Sequence, residues 1–73
     1  MDHINKEQLK MLKAKEVADI TSISVPYLYE LISKDKFPRP YRLGARAVAW
    51  RLSDIKRWLD SRPLTKTYGG QDA

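Results

Sequence analysis

Residues 14–34 read AKEVADITSISVPYLYELISK, and spacing alone places two short amphipathic helices there with a tight turn between them. Ala14, Val17 and Ile20 recur at i, i+3, i+6 while Lys15, Glu16 and Asp19 face away, which predicts a first helix over 14–20 that Thr21 and Ser22 interrupt. A second start signal follows at once. Ser24 is a good N-cap, and Val25 and Pro26 take the first two helical positions, where a proline's missing N–H is one of the donors a helix start leaves unpaired. The predicted second helix runs to about Lys34. Val25, Leu28, Leu31 and Ile32 form its buried stripe, Pro26, Glu30, Ser33 and Lys34 lie opposite, and Tyr27 and Tyr29 flank them. Two such helices joined so closely are a helix-turn-helix pattern.

Downstream, the prolines of Phe37-Pro38-Arg39-Pro40 stop the helix and hold the chain extended. Tyr41-Arg42-Leu43 and Val48-Ala49-Trp50 then alternate around Gly44-Ala45-Arg46-Ala47, which predicts a hairpin with a four-residue loop. In that register Leu43 faces Val48, Tyr41 faces Trp50, and Arg42 faces Ala49 on the side away from the core. Ser53 is read as the cap of a closing helix whose apolar stripe is Ile55, Trp58 and Leu59, with Asp54 at its positive end and Arg62-Pro63 as its stop. The fold class is therefore mainly α with a small β-hairpin, a winged helix-turn-helix over residues 12–62. Residues 1–11 and 63–73 read as flexible tails.

A chain of 73 residues is one domain with a modest core. It has no cysteine, and its one histidine, His3, has no second imidazole with which to share a metal, so neither metal nor cofactor is expected. No cysteine nucleophile, ordered histidine or glycine-rich phosphate loop is present, which argues against an enzyme. No apolar run approaches membrane-spanning length and none resembles a signal peptide, so the expectation is a cytoplasmic protein without a membrane partner. The formal net charge is +5, and all of it falls between residues 34 and 51, where Lys34, Lys36, Arg39, Arg42, Arg46 and Arg51 stand against Asp35 alone. One cationic stretch of this kind suits a phosphate backbone.

These features predict binding to double-stranded DNA. The helix that starts at the Ser24 cap would enter the major groove with Pro26, Tyr27 and Glu30 pointing toward the bases and Ser33 and Lys34 farther along the groove. The wing over 41–51 would meet the minor groove or phosphates through Arg46 at its tip, with Arg42 and Arg39 along the approach. Trp50 and Trp58 fall in apolar stripes, which assigns them to the core ahead of base stacking. A second reading is a protein-interaction module, an antirepressor or integrase accessory, that presents Pro26, Tyr27 and Tyr29 as an apolar patch.

The KEVA start of the first helix, the S-x-x-x-L-Y-x-L-I run of Ser24 to Ile32, the F-P-x-P step, the L-G-x-R-A-V-A-W wing of Leu43 to Trp50 and the closing S-D-I-x-x-W-L resemble one known family. The chain is similar over about residues 12–62 to the AlpA-type regulators of prophages and genomic islands, within the MerR-like winged-helix group that also includes lambda-type excisionases. The resemblance implies DNA binding near an attachment site or integrase promoter, as a transcriptional regulator of integrase, an excisionase, or both; integrase is a candidate partner. It implies base contacts from Val25, Pro26, Tyr27, Tyr29 and Glu30 and a wing contact from Arg46. Where many members carry Arg-Ser-Thr or similar polar residues after the cap, this chain has Val25-Pro26-Tyr27. With no long coiled-coil helix after the third helix, the expectation is a monomer in solution that loads cooperatively on repeated sites.

Overall fold

The computed structural model describes residues 9–65; His3 and most of both tails lie outside them. In chain order the elements are β1 (Met11–Leu12), α1 (Ala14–Thr21), α2 (Val25–Ser33), β2 (Tyr41–Arg42), β3 (Val48–Arg51) and α3 (Leu52–Asp60). The three strands form one antiparallel sheet in the order β1-β3-β2. The architecture is a winged helix, three short helices packed on a small sheet whose β2–β3 hairpin is the wing.

Helix α1 opens where the Glu16 carboxylate accepts from the Lys13 backbone N–H at 2.8 Å. Its buried face follows i, i+3, i+4, i+7, with Val17 fully buried and Ala14, Ala18 and Thr21 partly so. Ile20, expected on the buried stripe, is 46% exposed because an i+6 position has rotated off that face. Thr21 continues the helix for one residue past its expected end, and its hydroxyl donates to the Val17 carbonyl at 2.8 Å, which makes a polar residue acceptable beside the core.

Both helix-turn-helix exits use a left-handed residue that is not glycine. Ser22 stands at φ 63 with Ile23 N–H reaching back to the Ala18 carbonyl, and Asp35 stands at φ 59 with Lys36 N–H reaching the Leu31 carbonyl at 2.8 Å. A side chain at such a φ is strained by about 1 kcal/mol or more. Ser22→Gly is therefore expected to stabilise the domain by up to about 1 kcal/mol and raise its melting temperature by several degrees. A melting curve that is unchanged or shifted downward would contradict this account of the turn.

The core is built from Leu12, Val17, Leu28, Ile32, Phe37, Trp50 and Ile55, with Ala14, Ile23, Leu31, Leu52, Trp58 and Leu59 packed around it. Burial of each large side chain contributes about 1.5–3 kcal/mol. Trp50 is buried in the core and Trp58 packs against it half-buried, and their indole N–H groups have a further role. Trp50 donates to the Pro38 carbonyl at 2.8 Å and Trp58 to the Lys36 carbonyl at 2.9 Å. Both acceptors lie in the proline-containing segment, outside any helix or strand, so the two indoles pin it to the body of the domain. Phe37, whose ring centroid lies 4.6 Å from that of Trp58, is buried between these anchors.

Three local expectations are corrected. The hairpin register is shifted by one residue: Tyr41 pairs with Ala49 and Arg42 with Val48. Leu43 N–H donates to the Ala47 carbonyl at 2.7 Å, so the ladder continues to that pair and the loop is Gly44-Ala45-Arg46 alone. Met11, placed in the tail from sequence, pairs with Arg51, and Leu12 pairs with Trp50. Ser53 does not cap α3. The helix begins at Leu52 with Arg51 at the cap position and no capping side chain, and Leu52 N–H is satisfied by the Lys10 carbonyl at 3.1 Å as β3 runs straight into the helix.

Candidate nucleic-acid interface

Helix α2 starts as its sequence demands. The Ser24 hydroxyl oxygen accepts from the Tyr27 backbone N–H at 3.2 Å, the third helical position, and Pro26 fills the second, where no donor is needed. Ile23, just before the cap, packs on the core that also holds Leu28, in the arrangement of a hydrophobic staple. With Leu28 and Ile32 buried beneath it, the helix turns Pro26, Tyr27, Glu30, Ser33 and Lys34 outward, all exposed, with Tyr27 at 49%. Val25 is half-buried beside them. Tyr29 leans on the body of the domain, its ring edge-on to Trp50 with centroids 6.2 Å apart.

Hydrogen bonds order part of this face. Lys34 Nζ lies 3.0 Å from one oxygen of the Glu30 carboxylate, an exposed i, i+4 pair, and the Ser33 hydroxyl donates to the Glu30 carbonyl at 2.7 Å. The charged groups of this face are thus concentrated around Glu30, flanked by the apolar Pro26 and by Tyr27, whose exposed ring carries a hydroxyl that can donate or accept.

The observed register changes where the wing's arginines stand. Residues directly opposite in a ladder share a face, so Arg42 lies on the side of Val48, Trp50 and Leu12, while Tyr41, Ala49, Arg51 and Met11 occupy the other side. The Trp50 face is the one on which Tyr29 of α2 packs. Arg42 is therefore on the α2 side of the sheet rather than the side away from the core, and it is exposed at the edge strand. Arg46 is exposed in the loop beyond it. Arg51 stays on the opposite face, its guanidinium 4.9 Å from the centroid of the Tyr41 ring.

Arg39 does not join Arg42 and Arg46. Its guanidinium bonds the Asp35 carboxylate at 3.1 Å, and the residue borders a hollow with Pro38, Asp54, Arg57, Trp58 and Ser61, beside α3. Among the described residues the ion pairs are Lys34–Glu30, Arg39–Asp35 and Arg57–Asp54, and neither Arg42 nor Arg46 takes part in one. The continuous cationic stretch in sequence is thus divided over several faces. The signal that could have separated these arginines was the i, i+4 spacing of Asp35 and Arg39 across the helix exit.

Over residues 10–63 the chain matches the family described as prophage CP4-57 regulatory protein (AlpA). The chain belongs to the AlpA family. The match to AlpA takes in β1 as well as the helix-turn-helix, the wing and α3, so the strand at Met11–Leu12 lies within the family's shared region. This AlpA-family chain is also 36% identical over 55 residues to ORF88, an uncharacterized protein of Enterobacteria phage P4, in a match that covers 75% of this chain and 62% of that protein. It thus spans less than two thirds of that phage relative. No solved structure matches the chain. Among the described residues, no helix is long and apolar enough to cross a membrane.

Proposed function

We propose that this AlpA-family regulator acts by binding double-stranded DNA, with α2 in the major groove and the wing against the adjoining phosphates or minor groove. The observation that carries the reading is the pairing of a capped helix, whose outward face is exposed from Pro26 to Lys34, with two arginines of the wing that no described acid neutralises. A helix of this kind is wide enough to fill the major groove, and arginines held beside it supply the sequence-independent part of the affinity. The proposed surface comprises Ser24, Val25, Pro26, Tyr27, Glu30, Ser33 and Lys34 from the helix, Tyr29 at its flank, and Arg42 and Arg46. Arg39, tied to Asp35 beside α3, stands outside it.

On this reading the protein works by occupancy rather than catalysis, in the cytoplasm, at sites near an integrated element's integrase promoter or attachment site. There it regulates integrase transcription or directs excision, loads as monomers on repeated sites, and has integrase as a neighbour on the DNA. A mobility-shift titration tests it, using duplexes from the gene's own upstream region and neighbouring attachment site against random duplex at two salt concentrations. The expected result is a site-preferring shift whose affinity falls steeply with salt. Equal or absent shifts on every duplex would transfer the function to a protein partner.

A further inference from the structure

The exposed face of α2 has an uneven chemistry. Pro26 offers no hydrogen bond, Lys34 can only donate, the Ser33 hydroxyl proton is already given to the Glu30 carbonyl, and the exposed Tyr27 hydroxyl, able both to donate and to accept, discriminates little between base edges. The face carries no Arg, Asn or Gln, the side chains that make bidentate contacts to purines. Glu30 stands at its centre, one turn after Pro26 and Tyr27 and one turn before Ser33 and Lys34, and its ionised carboxylate only accepts. A bare carboxylate would be repelled by the phosphates. Here Lys34 holds one oxygen at 3.0 Å and offsets the charge, which leaves the other oxygen free to accept from a base edge.

Only two groups in the major groove donate to such an acceptor, the N4 amino group of cytosine and the N6 amino group of adenine. Adenine sets its N7 acceptor beside N6, against which a second carboxylate lone pair would clash. Cytosine carries a C–H there. The guanine opposite cytosine presents O6 and N7 acceptors, which suit a neighbouring ammonium. The Glu30–Lys34 pair is thus complementary to a C·G base pair, acceptor to donor and donor to acceptor.

Building on the DNA-binding reading above, we infer that Glu30 is a specificity-determining residue of α2: braced by Lys34, its carboxylate accepts from the N4 amino group of one cytosine in the major groove. Selection from a library of duplexes with a randomised core, using the full chain, tests this against Glu30→Ala and Glu30→Gln. Wild type is expected to enrich cytosine at one position that Glu30→Ala leaves unselected while other preferred positions persist. Glu30→Gln, able to donate as well as accept, should move that position toward adenine. In the selected duplex, that cytosine is then replaced by the 2-pyrimidinone nucleoside, which lacks the amino group. Wild-type binding should weaken roughly tenfold or more, whereas Glu30→Ala should bind both duplexes alike. Glu30 is exposed, so matching melting curves will establish that each variant is folded. Cytosine selection that survives in Glu30→Ala overturns this inference and leaves DNA binding standing, whereas a wild type that enriches nothing and binds all duplexes equally overturns both.

Discussion

Replacing Trp50 by alanine is expected to leave most of the chain unfolded at 25 °C. The residue is fully buried, its N–H holds the Pro38 carbonyl at 2.8 Å, and its ring packs against Tyr29 of α2. It also lies opposite Leu12 in the β1–β3 ladder, so one side chain joins the sheet, the proline segment and α2. Truncating a buried tryptophan costs about 3–5 kcal/mol. A single core of this size supplies a net stability of only about 3–5 kcal/mol, so the loss takes up nearly the whole margin. Urea titration followed by the fluorescence of the remaining Trp58, together with near-ultraviolet circular dichroism, measures it. Trp50→Phe should fall between the two, because it retains an aromatic body but loses the bond to Pro38. A Trp50→Ala protein melting within a few degrees of wild type would mean that the proline segment and helix are held by something other than this indole.

The Trp50 anchor marks where sequence stops being sufficient. Its burial follows from its apolar bulk at the end of the Val48-Ala49-Trp50 run, but its partner is a carbonyl twelve residues earlier, which no local pattern encodes. Phe37 was hidden in the same way: between a charged run and two prolines it has no periodic neighbours, and only the convergence of Trp58 and the helices buries it. Helix α2, by contrast, was legible to within a residue because its evidence is local: a serine that caps, a proline where a proline fits, and a buried stripe at helical spacing. Helix α1 was legible as an element but not in its rotation, since few apolar residues spread over eight positions fit more than one stripe, and Thr21 takes the place assigned to Ile20.

The wing was harder for a geometric reason. Loops of three and four residues both preserve alternation in strands this short, and a slip of one register exchanges the faces of the partner strand. Nothing in Tyr41-Arg42-Leu43 alone chooses between them; the choice is expressed through the Leu43–Ala47 bond and through β1, a two-residue strand with no periodicity of its own. The exposed face of α2 was therefore readable from sequence, whereas the side of the sheet on which Arg42 lies required the ladder. The division of the cationic stretch also escaped a linear count, because Asp35 reaches Arg39 only once the left-handed turn at Asp35 has redirected the chain.

That division makes the charge prediction specific. Arg42→Glu/Arg46→Glu is expected to reduce duplex affinity by about two orders of magnitude near 0.1 M salt, because each phosphate contact contributes a dependence of about 0.9 in the log–log slope. Removing two should also make that slope shallower by roughly two. Both residues are exposed and neither is ion-paired among the described residues, so the substitutions break no described contact of that kind and the fold should persist. Arg39→Glu/Arg57→Glu is the informative comparison. It changes the net charge by the same amount, but on residues that border the hollow beside α3, where each is already matched to an aspartate. If long-range field alone governed binding, the two double variants would weaken it equally. If the wing touches the phosphates, the first loses far more than the second and only the first flattens the salt dependence. Mobility shifts at a series of salt concentrations, with melting curves on both variants, distinguish these outcomes. Equal losses would remove the wing from the interface and leave α2 as its main element.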